Sequence, residues 1–141
     1  MSIATTGNES EQHQHAKQRL RQIVEGMGMI ADYEISTGTT ETEIGPRNYT
    51  VDLFAFWPDF RTRTTIKVAF EVEGFKGHNT KRQFARDNNR DKAHLKKGIR
   101  TVRINMKDLI GKTKVDDYTI KADILWQLAK QGYKKERMRK Q

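Results

Sequence analysis

Two carboxylates, Glu71 and Glu73, sit two residues apart in an otherwise apolar run, IKVAFEVEGFKGH at 66–78. In a β-strand such positions share one face. The charges then meet on one side of a sheet, where repulsion and desolvation both cost free energy. A divalent cation is one compensation. A hairpin between YTVDLFAFW (49–57) and TIKVAFEVEG (65–74), turning near residues 61–62, brings a third acid to the pair. Facing positions in that hairpin sum to about 123, which sets Asp52 opposite Glu71 at about 5 Å. Asp59, which follows Pro58, falls in the turn, too far along the hairpin to meet Glu71. Three clustered carboxylates suit Mg²⁺, with Mn²⁺ as a substitute. The bland alternative is a solvated sheet face, because Lys67 alternates onto the same side as Glu71 and Glu73.

The elements that must position these residues follow from periodicity. Ala16, Leu20, Ile23, Val24 and Met27 recur at helical spacing, with Gly28 as a stop and Asn8 with Glu11 as a capping box. Glu9 and His13 point along the apolar stripe of this helix, whereas Glu11 and Glu25 point away. MIADYEIS (29–36) reads as a first strand and STGTTETEIGPR (36–47) as a polar, turn-rich loop. The segments 49–57 and 65–74 are the second and third strands. A second helix spans 80–97 and ends at Gly98, RTVRINM (100–106) alternates as a fourth strand, and a last helix occupies 117–131. The order α-β-β-β-α-β-α describes an α/β domain with a mixed four-stranded sheet flanked by helices. The helix between the third and fourth strands allows those two to run parallel. Residues 1–8 read as a flexible N-terminus, 9–131 as a single domain and 132–141 as a basic flexible tail.

Phe84, Asn88, Asp91 and Leu95 share one stripe of the second helix, which turns two polar residues toward the sheet. An internal ion pair of Asp91 with Arg103 or Arg100 explains this as well as a catalytic role does. The other face carries Lys92, Lys96 and Lys97, with Arg82, Arg86 and Arg90 nearby, a set that can track phosphates without reading bases. Lys76 and Lys81 extend it. The formal net charge of +9 is uneven: residues 1–73 hold 7 Lys/Arg against 11 Asp/Glu, and residues 74–141 hold 20 against 7. Such asymmetry suggests a polyanionic partner, most simply nucleic acid. No apolar run approaches membrane-spanning length, which argues against a membrane partner, and the first residues lack a signal-peptide pattern. Without cysteine, neither a disulfide nor a thiolate zinc site can form, and a reducing, cytoplasmic setting, prokaryotic or viral, is the expectation. Trp57 and Phe60 are candidates for a homodimer contact.

Together these residues resemble the PD-(D/E)XK nuclease superfamily, with Asp52 and then Glu71-Val72-Glu73 on adjacent strands after a leading helix. Within it, the chain is similar to the very-short-patch-repair-endonuclease-like branch in Glu71, Glu73, Gly74, His78, Arg90-Asp91, Leu95, Gly98 and Val102-Arg103-Ile104. The likeness spans roughly residues 49–110. It implies a restriction-endonuclease-like core and a metal-dependent endonuclease that hydrolyses phosphodiester bonds in DNA. Asp52, Glu71 and the Val72 carbonyl would hold the Mg²⁺. Where the superfamily usually has a lysine that orients the attacking water, this chain has Glu73. Lys76, Lys81 and Lys92 are candidates to replace that lysine, or Glu73 is itself a second-metal ligand or a water-positioning base. The first helix of such proteins often adds an acidic residue, which points to Glu9 with His13 as the alternative, and His78 is a further catalytic candidate. A nucleic-acid-binding protein that keeps the fold without cleaving is the competing expectation.

Overall fold

The computed structural model describes residues 10–33, 36–42, 45–60, 62–74 and 81–133. Along the chain run α1 (Glu11–Gly26), β1 (Ile30–Tyr33), β2 (Ser36–Thr42), β3 (Gly45–Thr50), β4 (Leu53–Asp59) and β5 (Thr64–Glu73). Then follow α2 (Lys81–Lys96), β6 (Ile99–Asn105), α3 (Met106–Leu109) and α4 (Asp117–Leu128), the last continuing into a wider helical turn at Ala129–Tyr133. The architecture is α/β, with a four-stranded mixed sheet in the order β1-β4-β5-β6. β4 is antiparallel to β1 and β5, whereas β5 and β6 run parallel. A parallel pair needs a crossover, and α2 provides it. No helix among the described residues is long and apolar enough to cross a membrane.

Three expectations need correction. The segment 36–47 is no loop: β2 and β3 pair as a separate antiparallel ribbon, with a register shift between Ser36 and Thr39. Its threonines suit extended backbone, and a ribbon outside the main sheet needs no apolar alternation, so the usual strand signature is missing. The element order therefore gains two strands, besides the short α3. α1 starts later than Asn8, because Ser10 is its cap and accepts from the His13 N–H at 3.1 Å.

Alternation along β5 sorts the two faces of the sheet. Val68, Phe70 and Val72 join Leu20, Ile23 and Val24 of α1, Leu53 and Ala55 of β4, and Ile120, Ile124 and Leu128 of α4 in the main core. Each large side chain fully buried there contributes about 1.5–3 kcal/mol. Ala69, with Val51, Phe54 and Ile99, forms a smaller cluster on the opposite face. Glu71 and Glu73 belong to that second face, the one α2 covers.

β6 is an edge strand, closed by side chains rather than by another strand. Gln127 accepts from Arg103 N–H at 3.0 Å and donates to Arg103 O at 2.9 Å. Gln131, one turn along, accepts from Thr101 N–H at 2.9 Å and donates to Thr101 O. Two amides four residues apart thus satisfy backbone groups that would otherwise template foreign strands.

Candidate active site

The hairpin register positions the acids. Leu53 faces Phe70 and Asp59 faces Thr64, so the β4–β5 ladder has the expected pairing. Asp52 is the residue just before that ladder, next in line to meet Glu71, while Asp59 lies at its far end. Asp52 Oδ2 accepts the Val72 N–H at 2.8 Å. From the other side of the sheet, α1 delivers His13 in its first turn. Its Nε2 lies 3.1 Å from the Val72 carbonyl oxygen and 3.6 Å from Asp52 Oδ2. A carbonyl only accepts, so Nε2 carries the proton. Asp52, Glu71, the Val72 carbonyl and His13 are therefore brought together. Glu9, Lys76 and His78 lie outside the described residues.

The two carboxyls are driven apart electrostatically. Burial pushes Asp52 up, but hydrogen bonds from His13 and Val72 and the charges of His13 and Lys17 outweigh it, leaving Asp52 below its ordinary value. Burial also raises Glu71, the charge of Asp52 adds to this, and Arg90 and Arg103 offset only part, so Glu71 is pushed up to about 7. One member of the pair is thus a firm anion and the other is poised near neutrality.

On the α2 side the arrangement is a charge network. Arg90 donates to Glu71 Oε1 at 3.0 Å. Arg103 grips Asp91 with two bonds of 2.8 Å and lies 3.6 Å from Glu73 and 3.7 Å from Asp87. Burial lowers the Arg103 guanidinium, yet Asp91 more than compensates and its pKa is raised. These groups line a cleft of about 170 Å³ formed by Glu71, Val72, Glu73, Gly74, Asp87, Arg90 and Arg103. Behind it His94, 1% exposed, bonds Thr101 Oγ1 at 2.9 Å. Burial, then the charge of Arg90, lowers His94 to about 4.

This revises the reading of α2. Asn88 and Leu95 are exposed, and the stripe turned toward the sheet is Asp87, Arg90, Asp91 and His94. The Asp91–Arg103 ion pair accounts for the inward aspartate. Arg90, expected to track phosphate, instead holds Glu71, while Arg86, Lys92 and Lys96 are exposed and Lys97 is half-buried. Lys92 therefore points away from the acids that it was expected to serve. Lys81 and Arg82 open α2, and their side chains, like that of Phe84, lie outside the described residues.

Among the described residues no three His, Asp or Glu side chains group as a ready-made cation cage. The donors present are two carboxylates and one carbonyl, hard oxygens that fit a cation retaining several waters, as Mg²⁺ does. Burial first and the neighbouring Asp52 second raise Glu71, and Arg90 and Arg103 offset only part of this. Arg90 and His13 engage donors of this set, but each oxygen has a second lone pair. The set fits Mg²⁺.

Sequence reasoning overlooked Lys17, which is 5% exposed on α1, with its ammonium 5.8 Å from the centre of the Tyr33 ring. The signal was available: Lys17 stands three residues before Leu20 and seven before Val24, inside the apolar stripe. No family model, curated protein or solved structure matches the chain.

Proposed function

We propose that this protein is a metal-dependent nuclease with a restriction-endonuclease-like core, acting as an endonuclease on DNA. The observation that carries the reading is the meeting of Asp52, Glu71 and the Val72 carbonyl where β4 begins and β5 ends, in the middle of the sheet, with His13 fixing two of them. Asp52 and Glu71, with that carbonyl, are the groups that would hold Mg²⁺. When bound, Mg²⁺ supplies a Lewis acid for the phosphate and lowers the pKa of a coordinated water. The protein's own groups do the rest. His13 orients the carbonyl and Asp52, and Arg90 stands beside Glu71 where charge builds on phosphate oxygens. The exposed cations of α2 draw in the polyanion without reading its sequence. Glu73, 3.6 Å from Arg103, is tied into the α2 network and serves that network rather than the water.

A second reading, binding of nucleic acid without cleavage, draws on the same geometry. Arg90 and His13 already engage Glu71 and the Val72 carbonyl, and no lysine stands at position 73. Supercoiled plasmid incubated with Mg²⁺, Mn²⁺ or EDTA separates the two, beside an Asp52→Ala/Glu71→Ala variant. Metal-dependent nicking by the wild type, lost in the variant, is the expected result. Intact plasmid and single-stranded DNA in every condition, with equal retardation of DNA by both proteins, sinks the nuclease reading and leaves the binder.

A further inference from the structure

The outer face of α4 carries apolar side chains that the fold leaves uncovered. Tyr118 is 80%, Leu125 47% and Trp126 60% exposed. With Ala122 and Ala129 they form one stripe along the helix, opposite Ile120, Ile124 and Leu128, which face the core. Folded chains rarely expose a contiguous apolar patch that has no contact to make. Trp57, expected from the sequence at a dimer contact, instead packs partly buried against the main core.

This stripe is complementary to itself. Two copies of α4 laid antiparallel, with a two-fold axis between positions 123 and 124, bring together residues whose numbers sum to about 247. Tyr118 then meets Ala129 of the second copy, and Leu125 and Trp126 meet Ala122, so each large side chain falls on a small one. Asp116 falls beside Lys130 on the same flank of the helix pair. Asp116 takes both of its Thr119 bonds on Oδ1. Lys130, with its ammonium 3.7 Å from the centre of the Trp126 ring, has no acid partner among the described residues. A parallel pair would instead oppose Tyr118 to Tyr118 and Lys130 to Lys130.

We propose that the exposed stripe of α4 is the contact surface of an antiparallel homodimer, built by two copies of this chain. The contact stands independently of the nuclease reading. At about 200–250 Å² for each aromatic side chain, Tyr118 and Trp126 offer about 300 Å² per copy. An interface of that scale gives weak, reversible association, with a Kd of about 10–100 µM.

The test is sedimentation equilibrium of the full chain at concentrations up to about 1 mM, well above the expected Kd. The wild type should show a monomer–dimer equilibrium. Leu125→Glu, which sets two carboxylates near the two-fold axis, should weaken it at least about tenfold. Phe60→Ala, on the exposed β4–β5 turn, should match the wild type. A wild type that stays monomeric throughout overturns the proposal and leaves the α4 face to a different partner. Association that Leu125→Glu leaves unchanged overturns it as well. The chain has no cysteine, so single introduced cysteines report the register, and they decide the matter should Leu125→Glu fail to fold. Under a mild oxidant, Tyr118→Cys mixed with Ala129→Cys should cross-link faster than either variant with itself. Cross-linking within each variant but not between them overturns the antiparallel dimer.

Discussion

Replacing Glu71 by Gln and following unfolding from pH 7.5 down to 4.5 separates two titrations that oppose each other in the wild type. Glu71 is pushed from 4.5 up to about 7, by burial first and Asp52 second. The folded state then binds this proton more tightly than the unfolded chain. Its contribution to stability grows as pH falls from about 7 to 4.5 and is lost as pH rises back through about 7. His94 goes the other way, from 6.5 down to about 4, through burial and then Arg90. Here the unfolded chain holds the proton more tightly, so stability falls as pH drops below 6.5 and continues to fall until about 4. At about 1.4 kcal/mol per pH unit, each displacement corresponds to about 3 kcal/mol. Glu71 is 15% and His94 1% exposed, so solvent screening takes little from either.

In the wild type the two contributions oppose each other across this window. Glu71→Gln removes one of them and should lose about 3 kcal/mol between pH 7.5 and 4.5. His94→Gln removes the other and should gain about as much over the same interval, whatever its absolute stability. Asp52 does not interfere, since its carboxyl lies below 3.8 and titrates outside the window. Urea unfolding followed by circular dichroism, in EDTA at each pH, reads both slopes. A Glu71→Gln profile parallel to that of the wild type would refute the reasoning, and with it the claim that Asp52 and burial hold Glu71 near neutrality.

Two further outcomes test how the frame of the site is held. Arg19 of α1 donates to the carbonyls of Asp108 (3.2 Å), Leu109 (2.8 Å) and Val115 (2.6 Å) and to Asp117 Oδ1 (2.9 Å), lacing α1 to the segment between α3 and α4. Arg19→Met strands those carbonyls and should cost about 2–3 kcal/mol by denaturant unfolding, and a loss below about 0.5 kcal/mol would show the lacing to be incidental. Gln127→Ala/Gln131→Ala should uncover the β6 edge and produce concentration-dependent self-association in light scattering beyond that of the wild type. A double variant that associates no more than the wild type at every concentration would mean that the amides protect nothing.

How much of this was legible depends on what held each element. The register that puts Asp52 next in line to Glu71 followed from a turn centred near residues 61–62, and the ladder from Leu53–Phe70 to Asp59–Thr64 has that register. The parallel pairing of β5 and β6 followed from the length of the α2 crossover. The inward face of α2 was misread for a physical reason. Phe84 and Leu95 suggested an apolar stripe, yet the face is built from Asp87, Arg90, Asp91 and His94, held by ion pairs that hydrophobic periodicity does not register. The β2–β3 ribbon escaped for a related reason, since it carries no alternating apolar face. His13 stood on the legible stripe of α1, but its partners, Asp52 and Val72, are remote in sequence and only the fold reveals them.

The charge asymmetry of the chain takes on a different meaning once these pairs are placed. Glu71 and Glu73 come from the acidic first half, and Arg90 and Arg103, which answer them, come from the basic second half. Part of that imbalance is therefore spent inside the fold, joining β5 to α2 and β6. Arg103 is further committed to Asp91, so neither arginine is available as a mobile phosphate contact in the absence of a competing anion. Among the described residues, the cations of α2 that face solvent are Arg86, Lys92 and Lys96. If the partner is a polyanion, as proposed, these are the α2 cations that would attract it at long range, because an exposed charge acts through solvent while a paired one is largely cancelled. Neutralising Arg86, Lys92 and Lys96 would then weaken encounter without disturbing Glu71. Removing Arg90 would alter the acid itself. On the proposed nuclease reading an acidic site in a basic protein is consistent: the outward cations would gather the phosphates, and the inward ones set the charge on the carboxylates.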